Sequence, residues 1–161
     1  MSVIERANLI GTAVFVATAT LAATIFTPFS RTIAVVVALV LFASGVAAFI
    51  WGFFTAVQRS RYDDISVASL YFLIGDVATV RTRRLMNGCL VVQGSSAIVT
   101  ALARTSTDGQ SGSTLAFGVL VPLFGMGLNG LWASKHGTFS PLKNSKSIIP
   151  NPQIGKDSDH G

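Results

Sequence analysis

Four long stretches of this chain carry no charged side chain. They run over residues 7–30, 32–58, 85–103 and 114–134. A helix needs about 20 mostly apolar residues to cross a bilayer. Only 12% of the residues are charged, about half the share that a soluble domain carries. The pattern therefore predicts an all-α membrane protein with four transmembrane helices.

The connections between these stretches predict how the helices are arranged. Pro28 and Arg31 indicate a tight turn between the first two helices, because proline interrupts a helix and arginine avoids hydrocarbon. The apolar segment 65–75 is too short to span a bilayer. We expect a short interfacial helix there, capped by Asp64 and ended by Gly75, with a re-entrant segment as the alternative.

The last part of the chain differs from the rest. Residues 135–161 contain Pro, Ser, Asn and Lys but few large apolar side chains. Such a composition is typical of disorder. We therefore expect a four-helix transmembrane domain over residues 1–134, followed by a disordered cytoplasmic tail.

Basic residues are distributed unevenly along the chain. If the four helices cross in series, only Arg31 and Arg104 of the 12 Lys and Arg residues fall on one side. The positive-inside rule then places both termini in the cytoplasm. The sequence predicts a multi-pass protein of the cytoplasmic membrane of a bacterium. The net charge of +5 is explained by membrane orientation, so we expect no nucleic-acid partner.

The third stretch carries polar side chains on one helical face. At about 100° per residue, positions spaced by four, seven and eleven residues align. Hydrocarbon offers no hydrogen-bond partners, so this face must meet other helices or a cavity. We favour hydrogen bonds between helices over a pocket or permeation path. The residues of this polar stripe are Cys89, Gln93, Ser96 and Thr100.

The fourth stretch contains one deep amide, Asn129, which we expect to bond with Asn87 or Gln93. Pro122 predicts a kink in the same stretch. Small residues also recur every four positions, which permits close packing of helices within the chain or between subunits. These predicted faces are Ser44, Ala48 and Gly52 on the second helix, and Gly125, Asn129 and Ala133 on the fourth.

Charged residues outside the spans suggest contacts with lipid. Arg81, Arg83 and Arg84 are expected to attract anionic lipid headgroups, at about 1 kcal/mol for each basic residue. Asp63 and Asp64 resemble half of a metal site. No third ligand is evident in the sequence, so we predict no metal.

Several membrane chemistries require residues that the predicted spans lack. His136 and His160 follow the last span, which disfavours haem ligation within the bundle. No Asp or Glu lies within the predicted spans, which disfavours coupling to protons or sodium. Cys89 is the single cysteine and cannot form a redox pair within the chain. We therefore predict no catalytic residue and no cofactor.

Three functional hypotheses remain from the sequence. The first is a non-enzymatic accessory or assembly protein that contacts itself or another membrane subunit. The second is a small oligomeric transporter or channel component, with the polar stripe lining its path. The third is a lipid-acting enzyme at the cytoplasmic interface, near Asp63, Asp64 and the arginines 81–84.

Overall fold

The computed structural model describes residues 1–107, 110–111 and 113–141. The described chain is mostly helical, and four of its helical segments are long and apolar enough to cross a membrane, which confirms the predicted all-α class. The α-helices are α1 (Val3–Ile25), α2 (Pro28–Arg59), α3 (Val67–Phe72), α4 (Val80–Ala103) and α5 (Pro122–His136), and a 3-10 helix (Thr114–Leu120) precedes α5. Short strands β1 (Asp63–Asp64) and β2 (Ser106–Thr107) pair with β4 (Ser140–Pro141) and β3 (Gln110–Ser111) respectively.

The first turn of the bundle lies earlier in the chain than predicted, at Phe26 and Thr27. α1 begins at Val3, because Ser2 and Glu5 form a reciprocal capping box. It ends at Ile25, where Phe26 adopts a left-handed conformation with φ of 46°. Pro28 is the first residue of α2, a position where proline loses no helical hydrogen bond. The predicted first span, 7–30, therefore ended too late.

The short helix α3 differs from its prediction at both ends. Ser66, and not Asp64, caps its N-terminus through a hydrogen bond from the Ser69 amide to the Ser66 hydroxyl. Leu73, with φ of 54°, ends it before Gly75. The predicted caps were wrong, although a short helix does lie between the second and third spans. Its interfacial position stays a prediction at this point.

The third and fourth spans also begin differently from their predictions. α4 starts at Val80, so Arg81, Arg83 and Arg84 belong to its first turns and do not precede it. The fourth span starts as a 3-10 helix and becomes α-helical at Pro122. Pro122 is the first residue of α5, where its missing N–H costs no helical bond. Pro122 therefore lies where the helix type changes and not within a continuous α-helix, while a kink at this point stays a prediction.

The structure also describes the beginning of the predicted tail. α5 continues through Lys135 to His136, and Ser140–Pro141 pair with Asp63–Asp64. The ordered part therefore extends beyond Ser134, where we had ended the four-helix domain. Residues 142–161 lie outside the described residues, so their predicted disorder stays a prediction.

Glycines allow α2 and α5 to pack closely. A Cβ atom built on Gly45 would lie 2.5 Å from Cα of Phe124, and one on Gly52 would lie 2.8 Å from the carbonyl carbon of Gly130. The packed face of α2 thus centres on Gly45 and Gly52, whereas Ser44 is exposed and bonds to its own helix. The predicted face was wrong at Ser44, and the close contact lies within the chain.

The two ends of the bundle differ in charge. At one end, Arg59 bonds to the carbonyl of Ser134 and Thr82 bonds to Glu5. At the other end, Arg104 bonds to the carbonyl of Ala23. We call the first the arginine-rich end, because it holds the described Lys and Arg residues other than Arg31 and Arg104. Large apolar side chains cover much of the surface between the two ends.

Candidate functional site

Gln93 lies at the centre of the polar stripe and joins α4 to α1. Its side chain is fully buried, and Nε2 donates to Oδ1 of Asn8 at 3.2 Å and to Oγ1 of Thr12 at 2.7 Å. The Thr12 hydroxyl in turn donates to the carbonyl of Asn8 at 2.7 Å. This polar group, which we call the Gln93 centre, therefore links two parallel helices in the interior of the bundle.

Asn8 and Thr12 were missed in the sequence. Both fall within an apolar stretch, and Asn8 is the only amide side chain of α1. An amide in such a stretch is a signal for a partner on another helix. That partner could not be identified from the sequence, because spacing along one helix does not say which neighbouring helix it meets.

The other members of the polar stripe have different surroundings. Cys89 and Thr100 are buried, while Ser96 is only half-buried. The Thr100 hydroxyl donates to the carbonyl of Ser96 within α4, which satisfies it locally. Among the described residues, Gln93 is the one member of the stripe whose side chain bonds to another helix. The buried members of the stripe therefore face neighbouring helices.

A second polar group ties α3 to α4 and α5. Asn129 Nδ2 donates to the carbonyl of Tyr71 and to Oδ1 of Asn87, both at 2.9 Å. Asn87 Nδ2 donates to the carbonyl of Phe72 at 2.7 Å. We call Asn87 and Asn129 the amide clamp. Asn87 is one of the two partners that the sequence suggested for Asn129, whereas the role of α3 carbonyls was not predicted.

Tyr71 fixes α3 against α2. Its ring stacks on Phe49 with centroids 4.2 Å apart, and its hydroxyl donates to the carbonyl of Phe49 at 3.3 Å. The absence of a side chain at Gly130 leaves room for the ring.

Three buried amide atoms have no hydrogen-bond partner among the described residues. They are Nδ2 of Asn8, Oε1 of Gln93 and Oδ1 of Asn129. Oε1 of Gln93 packs against Gly125, where a built Cβ would lie only 2.7 Å away. An unsatisfied buried polar atom costs about 1–3 kcal/mol. Each of these atoms is therefore available for a further hydrogen bond inside the bundle.

The three arginines expected to contact lipid have different environments. Arg81 and Arg84 are exposed. Arg83 is half-buried, and its Nη1 donates to the carbonyl of Gly75 at 3.1 Å. Arg83 therefore has a structural contact, whereas Arg81 and Arg84 present their charges at the surface.

Two other arginines hold helix ends, a role that the sequence analysis missed. Nη1 of Arg59 donates to the carbonyl of Ser134 at 3.0 Å, near the end of α5. Nε of Arg104 donates to the carbonyl of Ala23 at 2.9 Å, near the end of α1, and its guanidinium lies 4.8 Å from the Phe26 ring centroid. The last carbonyls of a helix lack helical partners and favour a cation.

The acidic residues near α3, which are Asp63, Asp64 and Asp76, do not form a shared metal-binding centre. Asp63 pairs with Arg59 at 3.2 Å, while the side chains of Asp64 and Asp76 are exposed. Glu5 lies inside α1, which corrects the expectation that this span lacks a carboxylate. It is buried and accepts a hydrogen bond from Thr82 at 2.8 Å. Within the described residues, no three His, Cys, Asp or Glu side chains are placed to hold a metal ion.

The chain matches no protein-family model, no curated protein and no solved structure.

Proposed function

We propose that this chain is a non-enzymatic accessory or assembly protein of the bacterial cytoplasmic membrane, with both termini in the cytoplasm. One observation carries the proposal. The deepest polar side chains, Gln93 and Asn129, are fully buried and bond to neighbouring elements of the same chain. Their geometry supports holding helices together over lining an aqueous path.

The distribution of charge supports the orientation. The arginine-rich end carries Arg6, Lys135 and the arginines of segment 59–84, against Arg31 and Arg104 at the other end. Nε of Arg104 donates to the carbonyl of Ala23 in α1. Arg104 therefore has a structural role at the end of the bundle where the positive-inside rule disfavours a cation. Exposed Arg81 and Arg84 would contact anionic lipid headgroups at the cytoplasmic surface.

Topology can be tested with single cysteines in a Cys89→Ser background. Tyr62 is exposed at the arginine-rich end, and Ser106 is exposed at the opposite end. In intact cells, an impermeant maleimide should modify Ser106→Cys, whereas Tyr62→Cys should react only after the membrane is opened. External labelling of position 62 would overturn the proposed orientation.

The accessory role can be tested by crosslinking within the native membrane. The small-residue faces of α2 and α5 are used inside the chain, so we propose that a partner binds elsewhere, on the exposed surface around α3. A photoreactive residue at Tyr62 or Val67, both exposed, should yield a discrete protein adduct. The same residue at Val119, exposed near the opposite end, is the matched control. A lone homogeneous monomer without adducts would contradict the accessory role.

A transport component is the second candidate, supported by the unpaired Oε1 of Gln93 and Nδ2 of Asn8. These atoms could bond a small polar solute or water if the bundle opened. Solute-driven swelling of vesicles that hold the purified protein would measure such passage. Passage that is lost in Gln93→Leu but retained in Ser95→Ala would favour transport over the accessory role.

A further inference from the structure

The segment that contains α3 begins and ends at the same end of the bundle. Before α3, Asp63–Asp64 pair with Ser140–Pro141. After α3, the carbonyls of Asp76 and Val77 accept hydrogen bonds from the hydroxyl and amide of Thr138. Both flanks are therefore held by residues that follow α5, at the arginine-rich end.

The tip of this segment lies deeper than its flanks. The carbonyls of Tyr71 and Phe72 bond to the amide clamp. Asn87 lies about two turns into α4, and Asn129 lies about two turns before the end of α5. At about 1.5 Å per residue, the tip lies roughly 10 Å below these helix ends and roughly 5 Å below the exposed Arg84 on α4.

Side-chain exposure along the segment agrees with that depth. At the flanks, Asp64 and Asp76 are exposed and charged. At the tip, Phe72 and Ile74 are 41% and 56% exposed and apolar, while Leu73 is fully buried. Apolar exposure at the tip with charge at both flanks fits a segment that leaves water, enters hydrocarbon and returns.

The amide clamp also supplies hydrogen bonds to non-helical backbone at the tip of this segment. Carbonyls at the end of a helix have no helical partners, and hydrocarbon supplies none. Non-helical backbone is tolerated at such depth only where the protein satisfies it. The amides of Asn129 and Asn87 satisfy the carbonyls of Tyr71 and Phe72 at the point where Leu73 turns left-handed.

From these observations we propose that residues 65–79 form a shallow re-entrant plug. The plug enters from the arginine-rich end, turns near Leu73 within the hydrocarbon and returns to the same end. Leu70, Tyr71 and Leu73 pack with Met86 of α4 in one apolar cluster, so the plug seals the mouth of the bundle above the Gln93 centre. This proposal concerns depth and closure and does not depend on the accessory role.

Depth can be measured with spin labels in a Cys89→Ser background. A label at Ile74→Cys should be accessible to oxygen and protected from a water-soluble nickel chelate, like a label at Val91→Cys on the lipid-facing side of α4. A label at Tyr62→Cys serves as the aqueous reference. Nickel accessibility at position 74 equal to that at position 62 would overturn the proposal.

Closure can be measured by the reactivity of a thiol beneath the plug. Met86 is fully buried in the cluster that α3 covers, so Met86→Cys in the Cys89→Ser background should react slowly with an impermeant maleimide. Asn129→Leu removes two clamp bonds and should raise this rate roughly tenfold. Ser95→Ala, which loses only a bond within its own helix, should not change it.

A milder variant tests closure even if Asn129→Leu does not fold. Asn87 is half-buried, and Asn87→Ala removes its bonds to Phe72 and Asn129 while leaving the bond between Asn129 and Tyr71. This variant should raise the Met86→Cys rate by a smaller factor, roughly threefold. An unchanged rate in both clamp variants, with each eluting as a folded monodisperse species, would contradict closure by the plug.

Discussion

At the scale of single residues, the Gln93 centre shows how a polar side chain is accommodated among apolar ones. Gln93 reaches two partners on α1, one of which also bonds to its own backbone. A hydrogen bond between helices in a membrane contributes about 0.6 kcal/mol on average, and at most about 1.7 kcal/mol. The centre therefore adds a modest free energy to the pairing of α1 with α4, while apolar packing supplies more of the stability.

A double-mutant cycle would measure this contribution. Asn8→Leu and Gln93→Leu each remove one side of the direct bond at 3.2 Å. We expect a coupling free energy of roughly 0.5 to 1.5 kcal/mol in favour of the native pair, measured by reversible unfolding in detergent. Pairing Asn8→Leu with Ser95→Ala, a site that bonds only to its own helix, should give a coupling near zero.

If the pair Asn8→Leu and Gln93→Leu also gave a coupling free energy near zero, like the control pair, the two amides would not interact in the folded protein. In that case, the unpaired Oε1 of Gln93 would be the more important feature of this side chain.

At the scale of helices, contact between α2 and α5 depends on missing side chains. Gly45 lies over the backbone of Phe124, where a built Cβ would approach the amide nitrogen to 2.6 Å. Backbone atoms cannot move aside as a flexible side chain can. The two helices would have to separate to admit even a methyl group.

Gly45→Ala should therefore destabilise the protein by about 1–3 kcal/mol, the usual cost of overpacking. The control is Gly88→Ala on α4, because a Cβ there meets no atom within 4 Å. Alanine should stabilise the helix at this half-buried position by roughly 0.5–1 kcal/mol. Thermal unfolding in detergent would compare the two, and equal stability would contradict the close packing.

The sequence predicted the helices better than their ends. Long uncharged stretches sufficed to predict four spanning helices, because hydrocarbon restricts the backbone to few conformations. The start of α1 at Val3 was missed because a capping box extended the helix through the charged Glu5. Leu73 could not be predicted to end α3, because its left-handed conformation depends on tertiary contacts and not on residue type.

The candidate site was predictable only in part. Helical spacing predicted an inward face for Gln93, and the cost of a buried amide suggested Asn87 or Gln93 as the partner of Asn129. The pairing of Gln93 with Asn8, and the carbonyls held by the amide clamp, depend on the relative placement of helices. The spacing of residues along one helix does not show how that helix is placed relative to its neighbours.

Helix ends provide a further prediction at this scale. Nε of Arg104 bonds to the carbonyl of Ala23, close to the end of α1, where the last turn holds no basic residue. A hydrogen bond to a charged group contributes about 1.5–3 kcal/mol when it is well formed. Arg104→Ala should increase hydrogen exchange of the Phe26 amide, which bonds to Ala22. Arg84→Ala, which removes an exposed cation, should leave that exchange unchanged.

At the scale of the whole molecule, the asymmetry of charge between the two ends should determine how the bundle inserts. Arg81, Arg83 and Arg84 lie together in the first turns of α4 and contribute a large share of the basic charge at the arginine-rich end. Arg31 and Arg104 lie at the opposite end and are not changed when these three arginines are replaced. Replacing all three arginines by glutamine therefore weakens the asymmetry without changing the apolar stretches.

We expect this triple variant to insert in both orientations, because positive charge close to a span is the main determinant of topology. Reporter fusions after position 141 would measure the fraction of each orientation, with the wild type entirely cytoplasmic. The matched control replaces the same three arginines by lysine, which keeps the charge and should retain one orientation. A glutamine variant that still inserts in a single orientation would show that contacts within the folded bundle, such as those of Arg59 and Glu5, determine topology more strongly than charge does.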